Sequence, residues 1–138
     1  MIVGRDTWSL CGVTEFRDLT LSFALFSTGA ALGAPLLLAH GRALVRLVPD
    51  ARMPRHVGEG FSLDGRAFRS VLRGEGRVAS GGEGPALPDG ALATAHLLSA
   101  GGRARALELA TTDLVLSLVG EELPEALVEH LPAGAARR

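Results

Sequence analysis

The chain has 138 residues, the usual size of a single domain, and 47% of them are hydrophobic, so a core can form without a disulfide or a metal. The formal net charge of −1 argues against the basic surface by which proteins bind nucleic acids. All 14 basic residues are arginine and there is no tyrosine, which excludes Schiff-base lysines, phosphate-loop lysines and tyrosine acids.

Two further features concern location. The single cysteine, Cys11, cannot form an internal disulfide or a paired-thiol zinc or redox site, so a reducing, cytoplasmic setting is expected. The uncharged segment Leu19–Ala39 is long enough to cross a bilayer. Serine, glycine and proline divide it into two shorter apolar runs, and the preceding residues include three acidic side chains. We therefore predict a soluble protein with no membrane partner.

The first two elements lie in this apolar region. The run Leu19–Leu25 alternates large apolar and small residues, which is typical of a half-buried strand, although helical spacing fits it as well. Leu36–Ala39 and Arg42–Val48 flank His40 and Gly41, and this pattern predicts a β-hairpin.

A helix is expected next. Asp64 is a suitable N-cap for a short helix over Gly65–Arg73, which places Ala67, Phe68, Val71 and Leu72 on one face. Glycines at 74 and 76 would end it. A short strand over Arg77–Ser80 and a loop over Gly81–Gly90 follow.

The sequence pattern of the C-terminal third predicts a second hairpin and another helix. Ala91–Ser99 and Arg103–Ala110 form the hairpin, in which Leu107 and Leu109 face one way and Glu108 the other. Leu114–Val119 fits a buried strand or a buried helical turn. Leu123–Leu131 fits a final helix with a proline in its first turn.

Two antiparallel hairpins with helices between and after them predict an α+β fold, with a single antiparallel sheet and helices on one or both faces. We expect one domain over residues 19–131. Residues 1–18 would be an N-terminal extension or edge strand, and residues 132–138 a frayed tail.

The middle of the chain resembles a known family. Val57–Arg73 resembles the loop and short helix of GAF domains, Gly76–Ser80 is similar to the strand that follows, and Ala93–Leu109 to their paired central strands. The resemblance covers roughly residues 19–131. It implies a profilin-like or GAF-like sandwich that acts as a small-molecule sensor or a dimerising regulatory module.

A second resemblance is to roadblock-type domains. The apolar run Leu114–Val119 ahead of Pro124 is similar to the additional strand that such domains place before their last helix. This resemblance implies a homodimeric scaffold that docks onto a partner protein.

One arginine cluster stands out as a candidate ligand site. On the expected helix, Arg66, Arg69 and Arg73 stand at i, i+3 and i+7 on one face, with Arg77 just beyond its end. Aligned guanidinium groups suit phosphate or carboxylate recognition, while the simpler alternative is a solvated face. His96, within a strand, could face a pocket or solvent. The predicted ligand-binding residues are Arg66, Arg69, Arg73, Arg77 and His96.

No motif for catalysis or metal binding is present. The four histidines are not at metal-ligand spacing and there is no G-x-S-x-G, so we predict no metal, no cofactor and no catalytic residue. The leading hypothesis is a non-catalytic domain that senses a small anionic ligand, with a homo-oligomer expected. The alternatives are the homodimeric scaffold and a small enzyme whose residues converge from distant positions, such as His96 with a carboxylate.

Overall fold

The computed structural model describes residues 2–3, 6–7, 10, 12–18, 21–28, 34–82 and 87–124, and every regular element in these ranges is a β-strand. The strands are β1 (Ile2–Val3), β2 (Asp6–Thr7), β3 (Gly12–Arg17), β4 (Ser22–Ser27), β5 (Leu36–His40), β6 (Ala43–Pro49), β7 (Gly60–Leu63), β8 (Arg66–Gly82), β9 (Leu92–Ser99), β10 (Ala104–Ala110) and β11 (Val115–Glu122). Over these same ranges, no helix has the length and apolar character needed to cross a membrane.

Eight of the strands close into an antiparallel barrel. Their order around the ring is β3-β4-β5-β6-β11-β10-β9-β8, and β8 pairs with β3 again. The chain therefore builds two four-stranded meanders, β3 to β6 and β8 to β11. They are joined at two seams, β6 with β11 and β3 with β8. The short β7 pairs with the first part of β8, outside the ring.

The prediction of an α+β sandwich with helices on the sheet is wrong. In the part of the chain that the structure describes, no helix covers the two predicted hairpins, because the sheet curls until its two edge strands pair. Closure buries one face of a sheet against itself, so that this face needs no helices to cover it.

The barrel interior is filled by large apolar side chains that alternate along the strands. On β4, for example, Phe23 and Leu25 point inward, and the ring of Phe23 packs edge-on against Phe16 at a centroid distance of 5.3 Å. Most of the interior residues are almost fully buried: Phe16, Leu21, Phe23, Leu25, Leu36, Leu38, Val45, Leu47, Val78, Leu87, Ala93, Ala95, Leu97, Leu107, Leu109 and Leu118.

Parts of the outer face are covered as well. On β4 to β6, Phe26, Leu37 and Leu44 pack with Leu10, which precedes β3, and with Leu123, which follows β11. On β8 to β11, a second apolar cluster lies beneath residues 50–59, the connection between β6 and β7, which we call the strap. This second cluster contains Met53, Val57, Phe68, Leu98, Ala104 and Ala106.

An arginine fixes the start of the strap. The guanidinium of Arg52 bridges Asp50 and Asp64, with nitrogen–oxygen distances of 2.9 Å to each carboxylate. Hydrogen bonds from the side chain and backbone of Arg52 lower the pKa of Asp50 below its usual value. The contact therefore ties the strap to the turn between β7 and β8.

The predicted helix over Gly65–Arg73 is wrong, because this segment is the first half of β8. Asp64 and Gly65 have φ of +53° and +76° and form a two-residue hairpin turn, for which Asp-Gly is a preferred sequence. Across the hairpin, Phe61 stacks on Phe68 at 4.9 Å. The apolar face expected of a helix does not exist, since Val71 is 57% exposed beside a register shift.

Several of the predicted strands are confirmed. The two hairpins correspond to β5–β6 and β9–β10, and Arg77–Ser80 lies within β8. Of the two ambiguous runs, residues 22–25 belong to β4 and residues 115–119 to β11. Within the predicted 1–18 extension, β3 is paired on both sides. Of the predicted loop 81–90, the first two residues belong to β8, and residues 83–86 lie outside the described ranges. Apart from residues 123 and 124, the predicted final helix and the tail 132–138 also lie outside them.

Each seam of the barrel contains a glycine in close contact with the neighbouring backbone. A Cβ atom at Gly76 would overlap the carbonyl of Arg17 across the β3–β8 seam. At the other seam, a Cβ atom at Gly120 would overlap the carbonyl of Arg46. Since backbone atoms on paired strands cannot move away freely, both seams depend on the absence of a side chain.

We therefore expect Gly76→Ala and Gly120→Ala each to lower the free energy of unfolding by about 1–3 kcal/mol, the usual cost of inserting atoms into a packed region. Gly81→Ala is the matched control, because Gly81 lies in the same β3–β8 seam with nothing within 4 Å of its Cβ position. Urea denaturation measures all three. Equal midpoints for Gly120→Ala and Gly81→Ala would contradict the seam geometry.

Candidate functional site

Three polar side chains form a row across the outer face of the barrel. Arg73 on β8 is the direct register partner of His96 on β9, which is in turn the partner of Glu108 on β10. Direct partners project from the same face, with their Cβ atoms roughly 5 Å apart. The row points outward because the alternate residues Leu97 and Leu107 fill the interior. We call Arg73, His96 and Glu108 the outer row.

Glu108 is a buried carboxylate on what would otherwise be a solvent-facing side of the barrel. Its side chain is only 5% exposed because the strap lies over it. One carboxylate oxygen, Oε2, accepts a hydrogen bond of 3.3 Å from the backbone N–H of Val57. A buried carboxylate is costly unless polar groups face it, so this bond couples the strap to the site.

His96 lies between Arg73 and Glu108 with its side chain 12% exposed. Its Nδ1 is 4.0 Å from Oε1 of Glu108, whereas its Nε2 is buried and has no hydrogen-bond partner among the described residues. Burial and the positive charge of Arg73 lower the pKa of His96 below its usual value, and Glu108 opposes them more weakly. The imidazole is therefore neutral at pH 7.

The outer row lines a cleft of about 430 Å³ between the strap and the strands. Its other lining residues are His56 and Gly58 of the strap, Gly74 and Glu75 of β8, and Thr94 and Ala95 of β9. His56 has a φ of +57°, a conformation that costs a side-chain-bearing residue about 1–2 kcal/mol. The strap holds this conformation at the cleft, and such strain is frequent at binding sites.

In the cleft of the outer row, the structure brings together two of the five predicted ligand-binding residues, Arg73 and His96. Arg77 lies farther along β8, where it donates a hydrogen bond of 3.1 Å to the carbonyl of Gly90. Arg66 and Arg69 lie on the β7–β8 hairpin, and Arg69 lines a second cleft of about 680 Å³ together with Arg73 and with Gly58 and Glu59 of the strap. The single arginine face expected from helical spacing is not formed, because the segment is a strand.

Sequence reasoning did not identify Glu108 or His56 as members of a site. The alternation Leu107-Glu108-Leu109 correctly predicts that Glu108 faces away from the core. Its burial depends on Val57, 51 residues earlier in the chain, and no local pattern signals that contact.

No known family model, curated protein or solved structure matches this chain. In the ranges that the structure describes, no three histidine, cysteine or acidic side chains are grouped closely enough to hold a metal ion.

Protonation of His96 should oppose folding. The pKa of His96 in the folded chain lies below the ordinary value of 6.5, so at pH values between the two the unfolded chain binds more protons. The contribution of neutral His96 to the free energy of unfolding is fully present above pH 6.5. It is lost as the pH falls toward the pKa of His96 in the folded chain. In urea denaturation at about pH 7.5 and about pH 5.5, the wild type should therefore lose more stability than His96→Gln. An equal loss in both proteins would contradict the assignment.

Proposed function

We propose that this chain is a non-catalytic ligand-binding domain that senses a small anionic molecule at the outer row. One observation carries the proposal: His96 presents a buried nitrogen without a described partner, directly beside an arginine, in a cleft of about 430 Å³. A buried polar atom left without a partner costs about 1–3 kcal/mol. A bound ligand that satisfies this atom would recover that cost.

The charges around the cleft favour the binding of an anion on the side of His96 where Arg73 lies. Arg73 carries a full positive charge at the strand position next to His96, and guanidinium groups form strong, paired hydrogen bonds with carboxylates and phosphates. Glu108 lies on the other side of His96, where the backbone of Val57 faces its carboxylate. The ring of His96 therefore separates the acidic end of the row from the end that would receive the ligand.

Binding is favoured over catalysis at this site. An enzyme that uses the pair of His96 and Glu108 needs an imidazole nitrogen that exchanges protons with a substrate. In the structure, 4.0 Å separates Nδ1 from the carboxylate of Glu108, which is too long for the hydrogen bond by which an acidic side chain orients a catalytic imidazole. The enzyme alternative, the family resemblances, the homo-oligomer and a protein partner remain predictions.

Arg73→Gln should weaken the binding of inorganic phosphate or acetate by about tenfold or more, since it removes a charge-assisted hydrogen bond of about 1.5–3 kcal/mol. Isothermal titration calorimetry measures the affinities. Arg42→Gln is the matched control, because Arg42 is an exposed residue in the β5–β6 turn and β5 lies four strands from β9 around the ring. If neither anion binds at millimolar concentration, or if both variants bind alike, the proposal is wrong.

A further inference from the structure

The outer row also determines which anions fit. We infer that the ligand is a small acid with a hydroxyl group beside its anionic group, so that the anion accepts hydrogen bonds from Arg73 and the hydroxyl donates one to Nε2 of His96. This inference rests on the proposed binding function and adds the chemical class of the ligand.

The first step concerns the position of the proton on the neutral imidazole. A proton on Nδ1 faces the carboxylate of Glu108, at a nitrogen–oxygen distance of 4.0 Å. A proton on Nε2 would be buried with no acceptor among the described residues. The distance from Nδ1 to the carboxylate is longer than a hydrogen bond, so the carboxylate favours the tautomer protonated on Nδ1 through its negative charge. His96 therefore carries its proton on Nδ1, and Nε2 holds a lone pair that accepts hydrogen bonds.

The second step concerns the two groups that would contact the ligand, the guanidinium of Arg73 and Nε2 of His96. A guanidinium has only hydrogen-bond donors, while the unprotonated Nε2 is only an acceptor. Arg73 and His96 are direct cross-strand partners, roughly 5 Å apart at Cβ. The complementary ligand thus has an acceptor and a donor a few bonds apart, as in a hydroxy acid. A plain carboxylate would leave Nε2 without a partner.

No other titratable side chain that lines the cleft takes the place of the ligand hydroxyl as a donor to Nε2 of His96. The other such side chains are His56 from the strap and Glu75 from β8, and neither makes a hydrogen bond to Nε2 in the structure. Because Nε2 is shielded from solvent, the ligand reaches it only after a local shift of the groups that cover it. The bond from Val57 to Glu108 is one contact that holds the strap in place.

Glycolate and acetate test the inference, because they differ only by the hydroxyl group. Glycolate should bind about tenfold more tightly than acetate, since it satisfies the buried nitrogen as well as Arg73. Inorganic phosphate in its singly protonated form also has a hydroxyl and an anionic oxygen, and sulfate has no hydroxyl at neutral pH. Comparing phosphate with sulfate therefore separates a phosphate ligand from a hydroxycarboxylate. The hydroxyl group should raise the affinity more within the pair that resembles the natural ligand.

Glu108→Gln is the decisive variant. Its side chain keeps the same shape, and its oxygen can still accept the bond from Val57, while its amide N–H₂ donates toward Nδ1 of His96. The ring proton should then move to Nε2, which becomes a donor that a carboxylate oxygen of acetate can satisfy as well, so the preference for glycolate over acetate should disappear. A preference that persists in Glu108→Gln would overturn the inference.

A measurement on the unmodified protein covers the case in which this variant does not fold. Nitrogen-15 NMR of the histidine rings at neutral pH, with the His96 signals assigned by comparison with His96→Gln, should show the proton on Nδ1. A proton on Nε2 would overturn the inference. If neither glycolate nor phosphate binds more tightly than its partner without a hydroxyl, the inference fails and the proposed function stands, whereas the absence of any anion binding defeats both.

Discussion

The pairing of β3 with β8 is the contact on which the rest of the structure depends. Six register pairs join Gly12–Arg17 to Arg77–Gly82 and convert two meanders into a closed ring. Closure removes two free sheet edges and decides which side chains face inward. Phe16 and Val78, which are partners across this seam, both belong to the filled interior. Without the seam, the inward face would need another layer to cover it.

Closure also explains why a polar site forms on the outside. A barrel whose interior is filled mainly by leucine and phenylalanine has no room for a ligand there, so a ligand site is restricted to the outer face and the loops. The strap covers part of that face with Met53 and Val57, and it encloses Glu108 in the same region. The outer row thus combines strand positions, which are held by register, with a cover made by a loop.

Local patterns in the sequence predicted most strands but not the barrel. Both hairpins were predictable because apolar runs flank short glycine-containing turns. The helix prediction failed at Asp64 and Gly65, where a strong hairpin turn was interpreted as a cap because the residues after it also have helical spacing. The closing seam joins residues as distant as Thr14 and Ser80, and no local pattern indicates such a pairing. The sequence could suggest His96 as a ligand-binding residue. It could not identify Glu108, because the burial of Glu108 depends on a contact that is also distant along the chain.

A disulfide across the closing seam tests the barrel most directly. Thr14 and Ser80 are direct partners with side-chain oxygens 3.3 Å apart, so Thr14→Cys with Ser80→Cys, in a Cys11→Ser background, should oxidise to an intramolecular disulfide. Thr14→Cys with Ser117→Cys is the control, because β3 and β11 lie on opposite sides of the ring. Mass spectrometry under mild oxidation should show the bond only in the first pair. Equal reactivity of the two pairs, or no bond between positions 14 and 80, would contradict a closed barrel.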